Sequence, residues 1–354
     1  VDPLEPCYEG VRLEIPAQLG NRELAELGIL DVTAPPYWVD CSGRTDCTQQ
    51  LQRAIDDAQR YQMVAYLPIG TYSVSDTISI RQHGWCRDDG KCNRATPSIV
   101  MGERVVNSNE TLRPVIRLMP HSAGYAMRHQ HKYVVHIYRG ACGDLENPPG
   151  TINNMLTGVN VVIGEGNPSA VGVRCWGAQG SAVEDCTIDA TYGYSGLEGS
   201  CGAGGSHAQV TIIGGKIGLD LSDGECGSVV VGFRLHGQTQ HAIVLNGLQA
   251  VSIVGCRIDT NGMGSAIFAS GSRNGEPMRG SLTLVDSVIS FDKPNTLEHF
   301  RVGVSSRESV YLENCYFVNA THAVLSSDGS QLSTDGNDVV LVEQFAHGVD
   351  SMPF

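Results

Sequence analysis

At 354 residues, with 41% hydrophobic and 18% charged, the chain is long enough for one large core or two modest ones. A formal charge of -14 with only 24 Lys plus Arg argues against nucleic acid as the main partner, and no apolar run approaches a membrane span. Its 12 cysteines lack zinc-site spacing and point to an oxidising compartment, hence to a secreted chain read in its mature form.

Residues 1–44 are Pro-rich and read as an arm, with a short helix near Arg22–Leu27, packed on a single domain over 45–354. A helix over about 48–60 carries Leu51, Ala54, Ile55 and Ala58 at helical spacing, with Thr45, Asp46 or Thr48 as its cap. Strands are expected at Val64–Leu67, Thr71–Val74 and Thr77–Ile80. A polar loop follows from Arg81 to Pro114. Asn109 and Asn319 head Asn-x-Thr triplets and are candidate glycosylation acceptors. Cys41 with Cys47, and Cys86 with Cys92, are spaced for local bridges.

From Met155 to about Phe345 one short phrase recurs: apolar, two others, small or apolar, one more, then aliphatic or aromatic. Val183–Ile188, Ile253–Ile258 and Leu312–Phe317 are close copies; Leu156–Val161, Ile212–Ile217, Val230–Leu235 and Leu284–Ile289 are weaker, and Val340 opens one more. Each copy alternates as a strand does and ends in Gly, Asn, Asp or Ser. No helix of crossover length separates them. Strands that repeat in this way predict a parallel β-solenoid, whereas an antiparallel sandwich has no need of the same residue class at the same place in each strand. The helix at 48–60 then serves as the lid on the open end. Cys186, Cys256 and Cys315 share one place in the phrase and read as core-filling thiols. The Gly-rich stretch Tyr192–Gly205 reads as a loop leaving the solenoid, as do Arg273–Gly280 and Lys293–Arg301.

Two stretches resemble known families. Gly43-Arg-Thr-Asp46-Cys-Thr48, the helix with Gln52 and Ala54-Ile55, and Leu67-Pro68-Ile-Gly70-Thr-Tyr72 resemble the opening signature of the pectate-lyase superfamily domain, with Cys47 where that signature has a second Asp. Gly164-Glu-Gly-Asn167-Pro168-Ser-Ala170-Val-Gly172-Val, with Ala178-Gln179-Gly180-Ser181, resembles the first β-helix of the family 55 β-1,3-glucanases. The resemblance covers roughly residues 35 to 345. It implies an all-β, right-handed parallel β-helix with a short N-terminal capping α-helix. It transfers no catalytic residue, because those glucanases carry their catalytic acid in a second tandem β-helix.

Aligning the copies gives an outward column of Thr187, Lys216, Arg234, Arg257, Val288 and Tyr316, beside Asp189, Gly218, His236, Asp259, Ser290 and Val318. A glycosidase needs two carboxyl groups flanking the bond. Asp189 and Asp259 lie three turns apart, so Asp220, Asp223 and Glu225 are the nearer candidates, with Lys216, Arg234, His236, Arg257 and Tyr192 as substrate-binding residues. A polyuronate lyase needs a cation, a role that Lys216, Arg234 and Arg257 suit, and a base; no cofactor or metal is expected, calcium entering only under the lyase reading, for which no carboxylate cluster offers a clear site. An exposed Lys, Arg or Asp on a strand is commonly just a solvated face, and His207, His241 and the trio His129, His131 and His136 read as structural. The leading expectation is a secreted glycoside hydrolase on a β-glucan-like polysaccharide, with a second β-helix domain or identical chains as partners. A lyase, and a non-catalytic glycan-binding or structural β-helix, are the alternatives.

Overall fold

The computed structural model describes residues 15–82, 84–86, 92–95, 97–107, 111–127, 130–139, 151–222, 228–245, 250–260, 264–269, 272–273, 276–277, 280–292, 300–334 and 339–348. Its strands stack in register as parallel rungs about 4.8 Å apart. Two long sheets result, one of 18 strands and one of ten. This is the expected right-handed parallel β-helix with a capping helix.

The recurring phrase is one bent rung of the 18-stranded first sheet. Leu156, Val183, His207, Val230, Ile253, Leu284 and Leu312 form one inward column, and Val161, Ile188, Ile212, Leu235, Ile258, Ile289 and Phe317 the next. The bend falls at the third place of the phrase. There Gly158, Asp185, Gln209, Gly232, Gly255, Asp286 and Asn314 all have φ between 49° and 69°. That left-handed conformation favours Gly, Asn and Asp, which explains most of the column.

The register corrects one copy. The repeat at this turn is His207–Ile212, not Ile212–Ile217, because Val183 pairs with His207 and Ile188 with Ile212. A histidine at an apolar place hid it. His207 is fully buried, its Nδ1 3.3 Å from the Val183 N–H and its Nε2 3.2 Å from the Gly199 carbonyl. Val340 is corrected too. Val339–His347 runs antiparallel to Ser309–Val318 and closes the stack instead of adding a parallel turn.

The lid forms as expected. Thr48–Arg60 is helical and buries Leu51, Ala54, Ile55 and Ala58. Its N-cap position falls to Cys47, which makes no side-chain capping bond, and not to Thr45, Asp46 or Thr48; the Asp46 carboxylate accepts the Thr48 N–H at 3.0 Å. Gln52 finishes the exposed edge of the second sheet: its amide accepts the Ser79 N–H at 2.7 Å and donates to the Ser79 carbonyl at 2.9 Å. A side-chain amide thus replaces a missing strand. Among the described residues no helix is long and apolar enough to cross a membrane.

Cys41, Cys47, Cys175, Cys186, Cys201, Cys256 and Cys315 are free thiols, so the Cys41–Cys47 bridge is not formed. Cys47 is buried at the helix start and its Sγ lies 3.2 Å from the Ser73 carbonyl, with burial pushing the thiol up to about 12. Cys186, Cys256 and Cys315 fill the core as expected. Cys86 and Cys92 are backbone partners of an antiparallel pair. Asn319 is unsuited to carry a glycan, since it is buried with its amide donating to the Phe291 carbonyl at 2.9 Å. Asn109 lies outside the described residues.

Candidate functional site

The second sheet has its own repeat, a small residue followed by an aliphatic one. Gly172-Val173, Gly196-Leu197, Gly218-Leu219, Ala242-Ile243, Ala266-Ile267, Gly303-Val304 and Ala323-Val324 occupy equivalent rungs. The small residue is required by packing. A Cβ on Gly196 would stand 2.3 Å from Ile212 Cγ2, and one on Gly218 would stand 2.5 Å from Leu235 Cδ2. At Gly172, Gly196, Gly218 and Gly303 the last apolar residue of a first-sheet phrase therefore fills the space left by a missing methyl.

The residue after each dyad turns outward, and successive rungs place His136, Arg174, Glu198 and Asp220 in one column. Ser195–Glu198 is a buried strand, so the stretch Tyr192–Gly205 is not a loop leaving the solenoid. Apart from the exposed Gly204, its glycines stand where a Cβ would meet a neighbour.

Two carboxylates thus lie on adjoining turns in different surroundings. Glu198 is 5% exposed; its Oε1 accepts Ser195 Oγ at 2.8 Å and lies 3.3 Å from His131 Nδ1, and its Oε2 lies 3.7 Å from the Arg174 guanidinium. Asp220 accepts only from Ser222, through its N–H at 2.9 Å and its hydroxyl, among the described residues. Burial, helped by the charge of Glu198, pushes the Asp220 carboxyl above its ordinary range despite those bonds.

Aromatic rings frame the column. Arg174 lies 5.9 Å from the Tyr133 ring and 5.7 Å from the Trp176 ring. His136 sits between Tyr133 and Tyr138, with ring centroids 4.7 and 4.3 Å away. Its Nε2 is buried without a partner among the described residues, and burial together with Arg174 lowers its pKa to about 4. It is therefore a neutral imidazole at ordinary pH. His131 packs on Tyr194 at 4.0 Å, and Lys216 lies 5.5 Å from the Tyr194 ring. Tyr192, Tyr194, Thr191 and Lys216 line a cleft of about 820 Å³ at this edge.

No family model and no curated protein matches this chain. Solved structures do. A protein of Geobacillus virus E2 (ORF18) is 10% identical with a TM-score of 0.49, over 85% of this chain and 64% of that one. A family 82 iota-carrageenase from A. fortis is 12% identical with a TM-score of 0.48, over 79% of this chain and 55% of that one. The A-module of the Azotobacter vinelandii mannuronan C-5 epimerase AlgE6 is 13% identical with a TM-score of 0.41, over 86% and 91%. This chain thus spans less than two thirds of the first two.

The structure redistributes the residues expected from the sequence. Lys216 leaves the basic column, where Thr211 takes its place and Ile213 that of Gly218. Arg234 and Arg257 remain stacked neighbours, with His236 beside Asp259. Arg257 is paired with Asp259 at 2.7 and 3.2 Å on an exposed face. Asp189 stands three rungs from Asp259, and Thr191 N–H donates to it at 3.0 Å. These first-sheet residues are not part of the second-sheet column. Of the loop candidates, Asp220 joins it, while Asp223 and Glu225 lie outside the described residues. Glu198, Arg174, His131 and His136 were missed. The residue following a small–aliphatic dyad is the signal for Arg174 and Glu198, whereas His131 and His136, read from the sequence as structural, follow no such dyad. Among the described residues no group of three or more His, Cys, Asp or Glu is placed to hold a metal ion.

Proposed function

We propose that the chain is a glycoside hydrolase acting on a polysaccharide, with Asp220 as proton donor and Glu198 as nucleophile. The observation that carries this reading is their juxtaposition on adjoining turns in opposite surroundings. Burial that raises the Asp220 carboxyl favours the protonated form that a leaving oxygen needs, while the Arg174 guanidinium stands beside Glu198. Side chains leaving one face from rungs about 4.8 Å apart suit the roughly 5–5.5 Å carboxyl separation of retaining enzymes better than the wider inverting one. In that scheme Glu198 attacks the anomeric carbon as Asp220 protonates the departing sugar, and water then releases the covalent intermediate. Trp176 and Tyr192 supply faces for sugar rings. A polymeric substrate also supports work outside the cell.

His136 favours a second reading. A neutral imidazole beside Arg174 is also the pair a uronate lyase needs, with Arg174 neutralising the carboxylate and His136 taking the C5 proton. One screen on β-1,3-glucan, polygalacturonate, alginate and a sulfated galactan separates the two. New reducing ends without ultraviolet absorbance of an unsaturated sugar support the hydrolase, and absorbance supports the lyase. Silence on every polymer by a folded chain rejects both.

A further inference from the structure

Of the cleft at the entrance to the second sheet, the schemes above use only the Tyr192 ring. We propose that Tyr192, Tyr194 and Lys216 form a subsite for an anionic sugar unit, carrying a carboxylate or a sulfate ester, of the same polymer whose bond lies at Glu198 and Asp220. The proposal rests on the carbohydrate reading above and names its substrate class, moving it away from a neutral β-glucan.

Four observations lead there. Tyr194 and Lys216 immediately precede the register pair Ser195–Ile217, and Lys216 N–H donates to the Tyr194 carbonyl at 2.7 Å. They therefore sit on adjoining turns, four residues upstream of Glu198 and Asp220. At about 3.3 Å per residue this is about 13 Å along the strand, a span for a polymer and not for one sugar.

Among the described residues, Lys216 faces the Tyr194 ring and not an anion. Of the two described lysines, Lys132 has Asp76 at 2.9 Å, whereas Lys216 has no carboxylate partner among the described residues. In a chain of net charge -14 such a cation is conspicuous, and beyond a Debye length of about 8 Å the total charge is screened. Tyr192 is 52% exposed, a ring left facing water at the rim of the cleft. Finally, the cleft is joined to the carboxylates by contact, since Tyr194 packs on His131 and His131 reaches Glu198.

The test uses the whole chain, with Lys216→Gln and Tyr192→Ala, in affinity electrophoresis through gels holding polygalacturonate, a sulfated galactan or β-1,3-glucan. Both side chains are exposed, and unchanged thermal unfolding confirms the fold of each variant. The expected result is retention by an anionic polymer that Lys216→Gln weakens about fivefold to tenfold and that Tyr192→Ala also weakens. Retention by polygalacturonate alone names a uronate, and by the galactan alone a sulfate ester. Equal retention by the neutral glucan, unchanged retention of Lys216→Gln, or no retention at all overturns the subsite. Cleavage assays on the same samples separate the two proposals. Lysine-dependent retention without cleavage keeps the subsite and rejects the hydrolase. Cleavage of neutral glucan that Lys216→Gln leaves intact keeps the hydrolase and rejects the subsite.

Discussion

Glu198 and Asp220 are register partners on adjoining turns, and their surroundings divide them. Arg174, His131 and Ser195 converge on Glu198, while Asp220 has Ser222 for a partner and its pKa raised by burial. Asp220→Asn and Glu198→Gln are each expected to lower kcat by about 10²- to 10⁴-fold on the responsive polymer, with the fold retained. In the wild type, kcat/KM falls as pH rises through the raised Asp220 pKa, because the donor loses its proton. That alkaline limb disappears in Asp220→Asn; a limb that persists assigns the acid to another group.

Arg174 and Glu198 are both nearly buried, so neither charge tolerates loss of the other. Arg174→Met is expected to cost about 3 kcal/mol in denaturant unfolding, since it strands a carboxylate. Adding Glu198→Gln recovers a good part of that loss. Additive effects of the two changes show that the pair is not coupled.

His207 ties stability to pH. Burial holds its folded pKa at about 4, below the ordinary 6.5, so the unfolded chain takes up its proton first on acidification. The contribution is fully present above pH 6.5, is lost as pH falls from about 6.5 to about 4, and levels off below, on the order of 3 kcal/mol in all. His136 shifts in the same direction. His207→Asn therefore flattens that part of the stability–pH curve without abolishing it. Parallel curves for variant and wild type contradict the assignment.

Gly196→Ala tests the fit between the sheets. Its new methyl meets Ile212 Cγ2 at 2.3 Å and the Gly218 carbonyl at 3.0 Å. A loss of about 1–3 kcal/mol is expected, as for overpacking elsewhere. Ile212→Ala in the same chain relieves part of it, so the pair is less destabilised than the sum of the single changes. An Ala at 196 that costs nothing means the sheets slide apart freely.

The sequence by itself determined the stack. The phrase that recurs as Val183–Ile188, Ile253–Ile258 and Leu312–Phe317 is legible because every rung buries the same face against its neighbours, so apolar places repeat. The lid was legible for the same reason, its one-sided stripe from Leu51 to Ala58 having one surface to cover. Tertiary structure decided the register at His207, where paired hydrogen bonds let a polar ring stand in an apolar column. It also decided the site. Arg174, Glu198 and Asp220 lie 24 and 22 residues apart, and each looks like one charge among glycines until parallel pairing sets them side by side. Outward side chains are free of the core's demands, so their own identities do not repeat, and only the small–aliphatic dyad before each marks the place. Only the number of residues in each turn, fixed by packing between the sheets, brings them together.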